Sequence, residues 1–109
     1  MRRWKMNSQQ KMISLLTICR KAGKLLTGFD AVKEQVMSKK VSAVLVTSDA
    51  SPKTVKEIGF FCGKAEIPVI SIEAETSDMH YAIGRKTAVM GVTDEGFSKK
   101  FSEMSSEYK

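Results

Sequence analysis

The stretch Ala43-Val44-Leu45-Val46-Thr47-Ser48-Asp49-Ala50-Ser51-Pro52 decides the fold class. Its first five residues are continuous, apolar and rich in β-branching, the pattern of a strand buried on both faces. A strand of that kind sits in a sheet with helices on either side. A short turn follows, and then Ser51 stands before Pro52. The serine oxygen can accept from a free N–H of a first helical turn. Proline fits the first helical position, because the N–H it lacks would have had no partner there. A strand thus feeds directly into a helix.

Working towards the C-terminus, this helix is expected to run to about Lys64, with Val55, Ile58 and Cys62 inward. Gly59 reads as part of that face, allowing close packing. Pro68-Val69-Ile70-Ser71-Ile72 reads as the next strand, with proline at its first residue, where it removes no ladder bond. A short helix from about Ser77 to Ile83 is stopped by Gly84. Thr87 to Val92 reads as the last strand. Thr93-Asp94 then caps a helix with Phe97, Phe101 and Met104 on one face.

Towards the N-terminus, Gly28 opens a helix that reaches about Lys39. Phe29, Val32 and Val36 mark its buried side, with Lys33, Glu34, Lys39 and Lys40 outside. A short strand, Lys24 to Thr27, precedes it. The first helix runs from about Ser8 to Lys21, with Met12, Leu15, Leu16 and Cys19 as its apolar stripe. Gly23 stops it. Strict alternation of helix and strand predicts an α/β fold: a three-layer α/β/α sandwich around a central four-stranded mixed sheet. Strand order stays open at this point.

The chain has 109 residues, which suits one domain, expected over 8–104 with 1–7 and 105–109 as flexible tails. Its net charge of +6 favours polyanions, either nucleic acid or an anionic membrane face. No apolar run approaches the roughly 20 residues that span a bilayer. The basic start is followed by Asn7-Ser8-Gln9-Gln10, where a secretory signal would carry its apolar core. Cys19 and Cys62 are far apart and each lies in an apolar stripe, so they read as buried free thiols. These features point to the cytoplasm.

Catalytic chemistry is sparse. His80 is the single histidine, with no Ser or Cys at motif spacing, and reads as a surface or half-buried side chain. Glu73 and Glu75 follow a strand, but no third ligand accompanies them, so the reading is a solvated loop. Neither a Walker loop nor a dinucleotide fingerprint is present. The expectation is no enzyme, no catalytic residue, no metal and no cofactor.

Two loops carry more. Thr27-Gly28-Phe29-Asp30 passes from strand through glycine to a helix start, whose free N–H groups suit a phosphate or a base-edge acceptor. The same pattern is also an ordinary turn. Arg85-Lys86-Thr87, after Gly84, places adjacent cations in a tight loop suited to phosphate contacts.

Together these pieces resemble the kink-turn-binding ribosomal-protein superfamily of L-seven-Ae and L-thirty-e, and in particular its small bacterial, YlxQ-type branch. Arg20-Lys21-Ala22-Gly23-Lys24-Leu25-Leu26-Thr27-Gly28 and Val46-Thr47-Ser48-Asp49-Ala50-Ser51-Pro52 carry the resemblance. The spacing from Gly28 to Asp49, Ile67-Pro68-Val69, Ala82-Ile83-Gly84 and the stretch from Gly91 to Lys100 extend it. It covers the chain from Lys11 to about Lys100.

The resemblance implies the same sandwich, and RNA binding by two adjacent elements at one end of the sheet. Carried over, the first is Thr27, Gly28, Phe29, Asp30, Ala31 and Lys33. The second is Gly84, Arg85, Lys86 and Thr87. Lys24, Lys33, Arg85 and Lys86 are the expected phosphate contacts. The implied partner is structured RNA, a kink-turn or ribosomal RNA, with ribosome or ribonucleoprotein components alongside.

This sequence departs from the pattern at the first element. Kink-turn binders usually have Asn two residues after the glycine and Glu three after, where this chain has Asp30 and Ala31. An ionised Asp accepts only, whereas Asn also donates. The helix lysine of the family aligns with Glu34, and Lys33 lies one position earlier. The second loop is shorter and more basic than in ribosomal members. The alternative reading is a protein-interaction module on the same fold. Phe29 would then be an interface anchor if exposed, and core if buried.

Overall fold

The computed structural model describes residues 8–107. The segment 1–7, with Trp4 and the basic start, lies outside the described residues, as do 108–109. The elements are α1 (Ser8–Lys21), β1 (Leu25–Thr27), α2 (Phe29–Met37), β2 (Ala43–Val46), α3 (Pro52–Ala65), β3 (Val69–Ser71), α4 (Thr76–Ile83), β4 (Val89–Val92) and α5 (Glu95–Glu107). The order is the one the sequence implies, with boundaries shifted by one or two residues. Helix α5 continues past residue 104, where the sequence reading placed the domain end.

The sheet runs β1-β4-β2-β3. Strands β2 and β3 are parallel, while β4 is antiparallel to both β1 and β2. The last strand in sequence therefore sits between the first two, so the sheet is mixed. Its two faces follow from the period of two along each strand. Ala43, Leu45, Met90 and Val92 point to one core, closed by Met12, Leu15, Leu16 and Cys19 of α1, Met79 and Ile83 of α4, and Phe101 of α5. Val44, Val46 and Val89 point to the other, closed by Val32 and Val36 of α2 and Ile58 and Cys62 of α3. Each fully buried aliphatic side chain contributes roughly 1.5–3 kcal/mol. The result is the three-layer sandwich, α1/α4/α5 over the sheet over α2/α3.

Helix α2 lies close on β4. A Cβ on Gly91 would come within 3.1 Å of a Val41 methyl and 3.5 Å of a Val32 methyl. The Val32 distance is ordinary packing, so a side chain at Gly91 would press on Val41, in the connection from α2 to β2, which would have to give by a few tenths of an ångström.

Helix α3 departs from the sequence reading. Val55 is 38% exposed, and a Cβ on Gly59 would meet nothing within 4 Å. The buried stripe is turned towards Ile58, Phe61, Cys62 and Ala65. The cause is that α3 packs against α2 at its side, which selects Phe61 and Ala65 over Val55 and Gly59. Strand β3 is likewise covered on one face alone, with Ile70 buried and Val69 and Ser71 exposed.

Candidate nucleic-acid interface

Strands β1 and β2 both run against β4, so they end on the same edge of the sheet. On that edge Gly28 turns β1 into α2 with φ 95° and ψ 141°. An L side chain is strained there, since its Cβ crowds the backbone. A Cβ at Gly28 would meet nothing within 4 Å, so conformation and not space requires the glycine. Gly28 is the N-cap of α2, and no side chain caps this turn. The first-turn N–H groups are left facing outward, where an acceptor from a ligand can take them.

The lead-in to β4 is locked to this turn. The Gly28 N–H donates to the Val89 carbonyl at 3.1 Å and to Thr87 Oγ1 at 3.2 Å. Thr87 Oγ1 in turn donates to the Val89 carbonyl at 2.8 Å. Thr87 is 9% exposed. Its hydroxyl is spent inside the protein, so it braces the two elements against each other. A net hydrogen bond of this kind contributes about 1 kcal/mol.

The structure thus brings Thr27, Gly28, Phe29, Asp30 and Ala31 beside the loop of Gly84, Arg85, Lys86 and Thr87. Asp30, Ala31, Gly84, Arg85 and Lys86 are exposed. Gly84 ends α4 as its left-handed C-cap at φ 73°. Phe29 is half-buried and packs against the α2–α3 core. Asp30 suits the positive end of the α2 dipole, while its charge opposes phosphate.

Two of the sequence-derived residues stand apart. The Lys33 ammonium lies 4.6 Å from the centroid of Phe61, turned towards α3. The Lys24 carbonyl accepts from the Thr93 N–H at 3.0 Å, at the far end of β1 from Gly28. Three strand residues separate its backbone from Gly28, a distance of about 13 Å.

A residue that carries part of the family resemblance, but was given no place in either loop element by the sequence, also lies here. Arg20, at the end of α1, brings Nη1 to 3.7 Å from the position a Gly84 Cβ would take. Its guanidinium lies on the second loop. Its place in the last turn of α1 is one where cations are ordinarily found. Which loop it reaches depends on α1 lying beside α4, a tertiary fact.

Asp49, after β2, is tied within the protein. Its carboxylate accepts from the Thr76 N–H at 3.1 Å and the Thr76 hydroxyl at 2.8 Å, capping α4. His80 is exposed. Among the described residues no three His, Cys, Asp or Glu side chains gather as a metal site, and no helix is long and apolar enough to cross a membrane. Burial, aided by the Asp94 charge, pushes the Cys19 thiol up to about 11, and burial alone pushes Cys62 up to about 11. Neither is the thiolate that nucleophilic chemistry needs at neutral pH.

Residues 10–102 match the Ribosomal protein L7Ae/L30e/S12e/Gadd45 family. The chain belongs to this family. Within it, the RNA-binding protein YlxQ of Enterococcus faecium is 33% identical over 99 residues, which is 89% of this chain and 93% of that relative. The RNA-binding protein YlxQ of Bacillus subtilis (strain 168) is 30% identical over 94 residues, 85% of this chain and 93% of that one. A Bacillus halodurans protein of unknown function superposes with a TM-score of 0.79 at 35% identity, covering 86% of this chain and 95% of that one. The Giardia lamblia 15.5kD RNA binding protein superposes with a TM-score of 0.73 at 16% identity, covering 95% and 89%, and shares the fold. The L7Ae-type fold of this chain is thus supported by sequence and by architecture alike.

Proposed function

We propose that this chain binds structured RNA with the edge formed by the α2 start and the 84–87 loop, as a cytoplasmic binding protein that acts without catalysis. The observation that carries the reading is the uncapped, glycine-led start of α2, braced by Thr87 to a loop holding Arg85 and Lys86. Free N–H groups and cations on one rigid edge suit phosphate and base-edge acceptors. The YlxQ relatives, named for RNA binding, support the same class of partner. A kink-turn, in ribosomal or other translation-related RNA, is the specific target we propose, with Asp30 and Ala31 altering its contacts.

A titration against a kink-turn RNA, and against the same RNA with its G·A pairs replaced, at two salt concentrations, tests this. Binding that the replacement abolishes supports the kink-turn target. Equal, salt-sensitive binding to both keeps RNA and removes the kink-turn. The double substitution of Arg85 and Lys86 by Gln is expected to lower the salt slope by about 2. An unchanged slope would remove this loop from the interface.

A second reading, a protein-interaction surface, has its own observation. Met37 and Phe60 are exposed, and Met37, Lys39, Phe61, Lys64 and Ala65 line a shallow cleft at the far end of α2 from Gly28. A partner retained after RNase treatment and lost in Met37→Lys would favour it. Loss of the partner on RNase treatment returns the weight to RNA.

A further inference from the structure

Tyr81 is 87% exposed, more than any other large apolar side chain among the described residues, with Met37 next at 64%. Its place on α4 explains this. Met79 and Ile83 face the core, and Ala82 faces α1, where its carbonyl accepts from Thr17 Oγ1 at 3.2 Å. Tyr81 is left on the side opposite the core. One turn further along stands Gly84, with the Arg20 guanidinium against it, and then Arg85 and Lys86. Among the described residues no ion pair engages Arg20, Arg85 or Lys86. Of the nearby acidic residues, Asp78 stands one turn before Tyr81, where its carboxylate accepts from the Glu75 N–H at 2.8 Å in the α4 capping box, and Glu75 is the N-cap itself.

A largely exposed aromatic ring, touched edge-on by His80 at 5.9 Å, beside cations with no ion pair among the described residues is the composition of a single-strand nucleic-acid contact. The ring offers a stacking face to any base, and the cations track the phosphates. A base inside a duplex has both faces occupied, so the ring selects an unpaired one. The cations favour a polyanion over an apolar peptide. We infer that the outer face of α4 is a second RNA contact. In it, Tyr81 stacks an unpaired base of a strand leading away from the 84–87 loop, and Arg20 and Arg85 hold that strand's phosphates. This rests on the RNA reading above and extends the interface from the sheet edge onto α4.

The test compares a blunt kink-turn RNA with the same RNA carrying a short unpaired extension at either end, against the wild-type chain and Tyr81→Ala, Tyr81→Leu and Tyr81→Phe. Thermal melting verifies that each variant folds, as an exposed position allows. One extension is expected to tighten wild-type binding about tenfold. The gain should persist in Tyr81→Phe and vanish in Tyr81→Ala and Tyr81→Leu, with binding to the blunt RNA unchanged in all of them. Arg20→Gln should lower the salt slope on the extended RNA by about 1. The inference is overturned if neither extension helps the wild type, if the gain survives in Tyr81→Ala, or if Leu serves as well as Phe. Those outcomes leave blunt-RNA binding, and with it the RNA reading, intact. A wild-type chain that binds neither RNA overturns both.

Discussion

Two strand-to-helix turns lie on one edge of the sheet, and they end their helices' exposed N–H groups in opposite ways. At the start of α3, Ser51 Oγ accepts from the Thr54 N–H at 3.1 Å, and Pro52 removes another donor. That turn closes upon itself. At the start of α2, Gly28 supplies no side chain, takes a φ of 95°, and is held from beneath by Thr87 and Val89. That turn stays open, and its rigidity comes from outside it. The same topological step can thus serve as a stop or as a site. What separates them is whether the cap belongs to the chain or is left for a ligand.

The most forceful way to break this contrast is Gly28→Ala. The open space around the glycine admits the methyl group, but the backbone conformation does not, and the expected cost is about 1–3 kcal/mol. For a domain of this size that lowers Tm by several degrees for each kcal/mol. Kink-turn affinity should fall as well, because the N–H groups of α2 lose their alignment. Chemical denaturation and RNA titration of one preparation measure both. A variant with unaltered stability and affinity would show that the turn tolerates a side chain, and would remove the reason for regarding it as a site.

Thr87→Val and Ser51→Ala then separate the two turns. Thr87→Val keeps the shape and removes the hydroxyl that joins Gly28 to Val89, with a loss of about 1–2 kcal/mol. Its larger effect is expected in RNA binding, since only the Gly28–Val89 backbone bond then braces α2 against the loop. Ser51→Ala removes the α3 cap for about 1 kcal/mol and should leave RNA affinity unchanged. If the two variants lose affinity equally, the turns do not differ in function.

The sequence made the closed turn easier to read than the open one. Ser51-Pro52 is a local signal, because cap and proline act within their own turn. Val44, Leu45 and Val46 likewise declare a strand whatever surrounds them. Gly28 is ambiguous, since its meaning depends on Thr87, 59 residues away. Arg20 is harder still, for nothing near it in sequence tells that its guanidinium meets Gly84. Val55 misled for a related reason. Helical periodicity fixes which residues share a face, while the partner helix α2 decides how that face is turned.

Asp30→Asn sharpens the comparison with the smallest expected change. Asp30 is exposed in the first turn of α2, where a negative charge favours the helix by about 0.3–1 kcal/mol. That charge also repels an incoming phosphate. The substitution should therefore cost a little stability and strengthen RNA binding several-fold, an opposition of sign that a purely structural residue would not produce. Two RNAs distinguish the causes. A gain on the kink-turn alone means that the Asn amide donates to a base edge, which a carboxylate cannot do. An equal gain on the RNA lacking G·A pairs means that only repulsion was relieved. No gain on either would place the ligand away from the α2 start, and the open turn would then be open for a reason other than RNA.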